Sequence, residues 1–388
     1  MILSSRSNTI ATGLAMFAMF FGAGNITFPL LLGQVMGDEN IYAVSGMLMT
    51  AVLMPIVGLM AMVLYQGNYE QFFYRVGKTP GFLLIILSLV LLGPLCVIPR
   101  AVTLTHAIFD YTVLPISLWS FSAIACLVIF IFAAPRGKVL DLVAYFLTPL
   151  LLLFLATIVI KGLLTPGFSH ASGQTGFGAF LHGMLEGYNT LDLISGLFFS
   201  TLIVLRIHEH APPTQRNNPR YLVKATFKAS LVGGGLLALV YMGMSFVTAL
   251  HGTHPFVAAA RPDQLIGAIS LAIMGQQAGI IAVLATGLAC LTTAISLTVI
   301  FAEFLQKHIF KHKINYLSCV VLTLLVTFGM SLLSFAGIMK LILPVLIIFY
   351  PVFIVLSLFN IGHKLFGLEM IKLPLILTFV ASLSIYLW

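Results

Sequence analysis

The chain has 388 residues, of which 60% are hydrophobic and only 8% charged, and its mean hydropathy is +1.10. No soluble domain of this length can hide so much apolar surface, so an all-α integral membrane protein is expected. The net charge of +8 does not indicate a nucleic-acid partner, because the basic residues are spread over short loops between apolar runs.

From Arg6 to Asp38 no residue is charged, which is long enough to cross a bilayer. The centre of that segment reads Phe20-Phe21-Gly22-Ala23-Gly24-Asn25-Ile26-Thr27-Phe28-Pro29. Glycine raises the entropic cost of a helix, and Pro29 cannot donate a backbone bond to residue 25. Backbone freed at membrane depth is tolerated only inside protein or beside a watery cavity. Two readings stay open: a plain kink, or a discontinuous helix whose N–H and C=O groups hold a solute and an ion. No small-residue cleavage site follows a short apolar core, so the segment is expected to be a retained span.

Eleven spans are expected, at about 8–35, 41–65, 80–107, 116–134, 139–163, 176–205, 224–250, 277–305, 315–335, 339–361 and 372–388. With the N-terminus inside, the inner segments carry Arg6, Arg75, Lys78, Arg136, Lys138, Arg206, Arg216, Arg220, Lys224, Lys228, Lys307, Lys311, Lys313, Lys364 and Lys372. The outer loops carry only Lys161, Arg261 and Lys340. That asymmetry follows the positive-inside rule and sets the C-terminus outside. Thr165–Gly178 reads as an outer loop. Leu265–Gly275 is apolar but short, bounded by Gly275-Gln276-Gln277, and is expected as a re-entrant or interfacial helix capping the outer face of a cavity.

The third span contains Gly93-Pro94-Leu95-Cys96-Val97-Ile98-Pro99-Arg100. Arg100 lies about 30 Å from the inner start at 1.5 Å per residue. A structural salt bridge, a gate and snorkelling all remain open for it. The sixth span is the second interrupted one, with Glu186-Gly187-Tyr188-Asn189-Thr190-Leu191-Asp192 near its middle. Carboxylates at that depth face the bundle interior by default, with Glu186 alternatively high enough to reach the outer interface, and Glu186 and Asp192 are the partners nearest in depth to Arg100. The eighth span adds Ala289-Cys290-Leu291-Thr292-Thr293-Ala294, whose hydroxyls either bond back to their own helix or complete an oxygen cage with first-span carbonyls. Na⁺ suits such a cage, and a proton remains an alternative.

Spans one and six are each broken near the middle, and an offset of five makes the second set enter from the opposite face. That is the layout of an inverted repeat, about 8–163 and 176–361, with a solute held between two broken helices. A single transporter domain over 1–361 is expected, with 362–388 as an additional C-terminal helix. The four cysteines (Cys96, Cys126, Cys290, Cys319) fall in apolar segments at no metal-ligand spacing. His208-Glu209-His210 lies in a basic inner loop and reads as a solvated face, while His106, His182 and His254 are expected to bond locally. No nucleotide-binding glycine loop and no nucleophile–base set is found, so neither an ATP-driven pump nor an enzyme is expected, and no cofactor.

Phe20–Pro29, Gly93–Arg100, Gly137–Pro149, Gly187–Gly196, Ala289–Leu297 and Leu343–Val352 together resemble the bacterial branched-chain amino acid:cation symporter family. The likeness covers most of the chain, and Gly22-Ala23-Gly24-Asn25-x-x-Phe28-Pro29 with the Gly-Pro…Pro-Arg stretch is its most specific part. It implies a LeuT-type ten-helix core and Na⁺-coupled uptake of leucine, isoleucine and valine across the inner membrane. By that resemblance Ala18, Phe21, Ala289, Thr292 and Thr293 would form a sodium site. Gly22, Ala23, Gly24, Asn25, Tyr188, Asn189 and Thr190 would meet the substrate. A proton-coupled carrier for another neutral amino acid is the alternative, and a channel the further one. Members commonly have twelve spans, against eleven expected here. Asn25 also stands one residue closer to the Phe28-Pro29 pair than in the LeuT-type pattern.

Overall fold

The computed structural model describes residues 5–135, 148–212, 215, 218–275 and 278–387. The expected start of the fifth span, with Arg136, Lys138 and residues 137–147 of the matching stretch, lies outside the described residues, as do Arg216, Gln276, Gln277 and Trp388. Every regular element among the described residues is helical. A helix closes all its backbone bonds within the segment, which long runs of Leu, Ile, Val and Ala require in a bilayer. Short polar residues mark where several helices start. Asn68, Ser117, Thr175, Asn218 and Asn315 each accept a backbone N–H of the following turn.

Five helices are long and apolar enough to cross a membrane, and a sixth crossing is made if Gly176–Tyr188 and Asp192–His210, bent by 42°, count as one. The other apolar helices run 10–17 residues. The first span divides into Ser5–Phe20 and Ala23–Met36. A turn at Gly37, whose φ of +44° favours glycine, leads into the second span, Asn40–Leu48 continued by Met49–Leu53 and Met54–Leu64. The loop ahead of the sixth span is strapped to this turn. Asp38 N–H donates to the His170 carbonyl (3.0 Å), and Ser172 N–H donates to Asp38 Oδ1 (2.9 Å).

Small residues let the broken helices approach their neighbours closely. A side chain on Gly46 would strike the Phe180 carbonyl, one on Gly183 the Ala43 carbonyl, and one on Gly187 the Thr50 hydroxyl. The second span and the first half of the sixth, Gly176–Tyr188, are therefore packed closely. The first span meets the seventh (Pro219–His251) in the same way, through Gly13 against Val232 and Gly33 against the Ser245 carbonyl.

Two expected boundaries move. The tenth span runs from Ser334 to Phe366, past the division placed after 361, and Gly367 in the left-handed region (φ +70°) ends it before Lys372–Leu387. The proline of the first span does not break it. The helix continues through Pro29, and the interruption lies at Phe21-Gly22. The physical reason is the cap: Gly22 N–H donates to Asn25 Oδ1 (2.9 Å), which fixes the helix start, while Pro29 forfeits only one bond further along. The short segment after Asp263 forms the helix Leu265–Met274, buried along its first six residues.

Candidate functional site

The first break puts Phe21 and Gly22 between the two halves of the span, and the first-turn amides of Ala23, Gly24 and Asn25 follow it. Tyr188 closes the first half of the sixth span, and Asn189, Thr190 and Leu191 form the second break. Leu191 is fully buried with φ +64°, a costly conformation for a residue with a Cβ, and it re-aims the chain into Asp192–His210.

The breaks meet through side chains. Asn25 Nδ2 donates to both oxygens of Asp192 (2.9 and 2.7 Å), and Tyr241 of the seventh span donates its hydroxyl to Asp192 Oδ2 (2.8 Å). Asn25 Nδ2 also reaches the Tyr241 hydroxyl itself. Asp192 and Tyr241 are wholly buried and Asn25 nearly so. Sequence reasoning missed Tyr241, since a lone tyrosine in an apolar run carries no distinctive signal. Tyr188 stacks on Tyr350 of the tenth span (centroids 4.4 Å apart), whose hydroxyl donates to the Thr50 carbonyl (3.2 Å).

Arg100 is only 1% exposed, so it does not snorkel. The third span carries a wider turn at Leu91–Leu95, with Gly93 non-helical (φ −88°, ψ −122°), before the helix Val97–Thr112 brings the guanidinium inward. Its Nη1 donates to the Asn189 carbonyl (2.8 Å) and touches Met339 Sδ (3.7 Å), and its Cζ lies 5.4 Å from the Phe28 ring centroid. The expected direct pairing of Arg100 with Glu186 or Asp192 is not formed: among the described residues no ion pair within 4.0 Å joins them. The carbonyl freed by the second break takes Nη1 instead. Glu186 is reached indirectly, since Asn189 Nδ2 donates to its Oε2 (2.9 Å), and His182 lies 3.6 Å from its Oε1. Gly24 makes room for this arrangement, because a Cβ there would stand 2.6 Å from Arg100 Nη2 and 3.2 Å from the Asn189 carbonyl.

Of the expected ion ligands, Thr293 and Phe21 are brought together, the hydroxyl donating to the carbonyl at 3.0 Å. Thr292 donates to the Ala289 carbonyl of its own helix (2.9 Å), the back-bonded arrangement weighed for such pairs. Ala18, Ala289 and Thr292 are buried. A cavity of about 420 Å³ opens above Asn189, lined by Phe28, Glu186, Arg261, Asp263, Phe335 and Met339 among others. Arg100, touching Phe28, Asn189 and Met339, lies behind its wall. Among the described residues no cluster of three His, Cys, Asp or Glu side chains suits a metal, and His106 bonds locally to the Ile116 carbonyl (2.8 Å).

Comparison with known proteins bears on this arrangement. The family described as branched-chain amino acid transport protein matches residues 5–387. The branched-chain amino acid permease BrnQ of Bacillus subtilis (strain 168) is 29% identical over 397 residues, covering 98% of this chain and 87% of that protein. Among solved structures, MhsT in complex with L-phenylalanine is similar with a TM-score of 0.58 at 13% identity, over 96% of this chain and 98% of the other. The inward-facing conformation of Mhp1 gives 0.63 at 12% identity, over 97% and 89%. At these identities the likeness shows the fold, which is all-helical and LeuT-type, and the first and sixth spans are discontinuous in this chain.

Proposed function

The chain belongs to the branched-chain amino acid transport protein family, and from that premise we propose that it is a secondary active carrier importing leucine, isoleucine and valine with Na⁺. The observation that carries this reading is the meeting of two broken helices at a buried polar centre, joined by Asn25 and Asp192. Amides of Ala23, Gly24 and Asn25 at the start of one half-helix favour a carboxylate, through free N–H groups and a positive dipole end. Gly22, Tyr188, Asn189 and Thr190 complete the walls of the substrate site. The repeats are assigned to about 8–163 and 176–361.

Na⁺ is a co-transported substrate in this scheme. Phe21 O and Thr293 Oγ1, already 3.0 Å apart, are its first two ligands, with Ala18, Ala289 and Thr292 supplying further oxygens. Binding the ion replaces a hydrogen bond that ties the first span to the eighth, so occupancy is felt at the break beside the substrate. In this reading the carrier lies in the bacterial inner membrane with the N-terminus in the cytoplasm, and the asymmetry of loop charges supports that orientation. Uptake of labelled leucine, isoleucine and valine into proteoliposomes under an imposed Na⁺ or H⁺ gradient tests the reading. Saturable uptake with counterflow, driven by Na⁺ alone, is expected. Uptake driven only by H⁺ overturns the choice of ion, and non-saturable flux without counterflow indicates a channel.

A further inference from the structure

Two ionisable groups of opposite sign are buried at the breaks with no ion pair in contact distance. Arg100 is 1% exposed and Asp192 wholly buried, and among the described residues neither has an ion-pair partner within 4.0 Å. Each is held by neutral groups only. Asp192 accepts from Asn25 and Tyr241, and Arg100 donates through Nη1 to the Asn189 carbonyl and to Met339. A charge in a dry interior is costly unless something of opposite sign arrives.

The unused part of the guanidinium is specific. Nε is buried with no acceptor, and Nη2 makes no hydrogen bond among the described residues. These two nitrogens form one edge of the planar fork, the edge that receives a carboxylate through two parallel bonds. Nη2 lies against Gly24, the second residue of the outer half-helix, and the next residue, Asn25, grips Asp192. Consecutive residues of one helical turn therefore address the positive and the negative group. Asn189 adds an acceptor of its own, as its Oδ1 is buried without a donor.

We propose that Arg100 and Asp192 are the two poles of a zwitterion clamp. Arg100 takes the α-carboxylate of the amino acid along its Nε–Nη2 edge, and Asp192, with Asn189 Oδ1, takes the α-ammonium. The clamp rests on the reading of the breaks as the substrate site, and it adds what the half-helix amides alone do not supply, a full charge for each end of the solute. Recognition of both charges confines the site to free α-amino acids and excludes their amides, their amines and the corresponding carboxylic acids. The side chain plays no part in this selection.

The test compares binding of leucine, leucinamide and 4-methylpentanoate to the purified full-length protein and its variants. The unsubstituted protein is expected to prefer leucine over each analogue by about a hundredfold or more, since a buried polar group left unpaired is costly. In Arg100→Gln the leucine to leucinamide ratio is expected to collapse toward one, while in Asp192→Asn the leucine to 4-methylpentanoate ratio collapses instead. Arg100→Lys keeps the charge but loses the fork, and a drop in the first ratio of about tenfold is expected from it. Each variant's ratio is an internal comparison, so a merely structural role for either residue leaves it unmoved. Unchanged ratios in Arg100→Lys and Asp192→Asn overturn the clamp while leaving the carrier reading intact. If the unsubstituted protein binds another neutral amino acid, the same ratios are taken with that one's analogues. Binding of no α-amino acid at all overturns both readings.

Discussion

Thr293 and Gly24 carry the most specific contacts of the site, and each has a substitution that isolates it. Thr293→Val keeps the shape and removes the oxygen facing the Phe21 carbonyl. An interaction with a charged group is worth about 1.5–3 kcal/mol, so the Na⁺ concentration for half-maximal uptake is expected to rise about tenfold or more. Thr292→Val should do less, because that hydroxyl is bonded within its own helix. Unaltered Na⁺ dependence in both removes the eighth span from the ion site. Gly24→Ala recovers up to about 1 kcal/mol of helix propensity, but its methyl would collide with Arg100 Nη2 and crowd the Asn189 carbonyl. A loss of leucine affinity with no gain in thermal stability is expected. Unchanged affinity with equal or higher stability would mean that the stretch is only a helix start. The interruption beside Gly24 was legible because two glycines stand with Asn25, Thr27 and Pro29 within one apolar span. The partner it shelters was not, since Arg100 bonds a carbonyl that exists as a free acceptor only once the sixth span has unwound.

Among the elements, the two broken spans were legible for one physical reason: Asn and Asp are costly in a lipid-facing helix, and here they cluster with glycine and threonine near mid-span. The position of the first break was less legible. Proline suggested an interruption reaching Pro29, whereas the side chain of Asn25 caps Gly22 and starts the outer half-helix at Ala23. Pro29→Ala is therefore expected to leave leucine uptake within about twofold and the melting temperature equal or higher, as it restores one backbone bond. Loss of uptake with an intact fold would return the proline to the mechanism. The sixth span depends more on its packing. Gly183 and Gly187 lie against backbone and hydroxyl of the second span, so Gly183→Val forces two helices apart and should cost about 1–3 kcal/mol, read as a lower melting temperature. The link between the seventh span and the breaks, made by Tyr241, was outside the reach of sequence reasoning. An isolated phenol in an apolar helix looks the same whether it faces a carboxylate or a lipid headgroup.

At the scale of the whole molecule, the proposed carrier must close one path before it opens the other, and two sets of contacts suit the closing surfaces. Toward the inner side in the proposed orientation, Thr293 holds the first break against the eighth span, and Phe20 packs edge-on against Phe199 at 6.0 Å. On the other side, the cavity of about 420 Å³ reaches Asn189 between the outer halves of the first and sixth spans, the Arg261–Asp263 segment and the start of the tenth span. Ala336 lines this cavity, is exposed, and belongs to none of the bonded groups at the breaks. In a protein whose four native cysteines are replaced, Ala336→Cys is expected to react with a membrane-impermeant maleimide from the outside. Leucine with Na⁺ should slow that reaction, because drawing the outer half-helices onto the substrate narrows the cavity and shifts the population away from the open state. A differential affinity that favours closure tenfold changes the open fraction by at most the same factor, so protection of up to about tenfold is the scale to look for. Choline in place of Na⁺, with leucine present, should restore much of the reactivity. Labelling that is fast and indifferent to both solutes would mean that this cavity is off the substrate path, and that the breaks are reached from elsewhere.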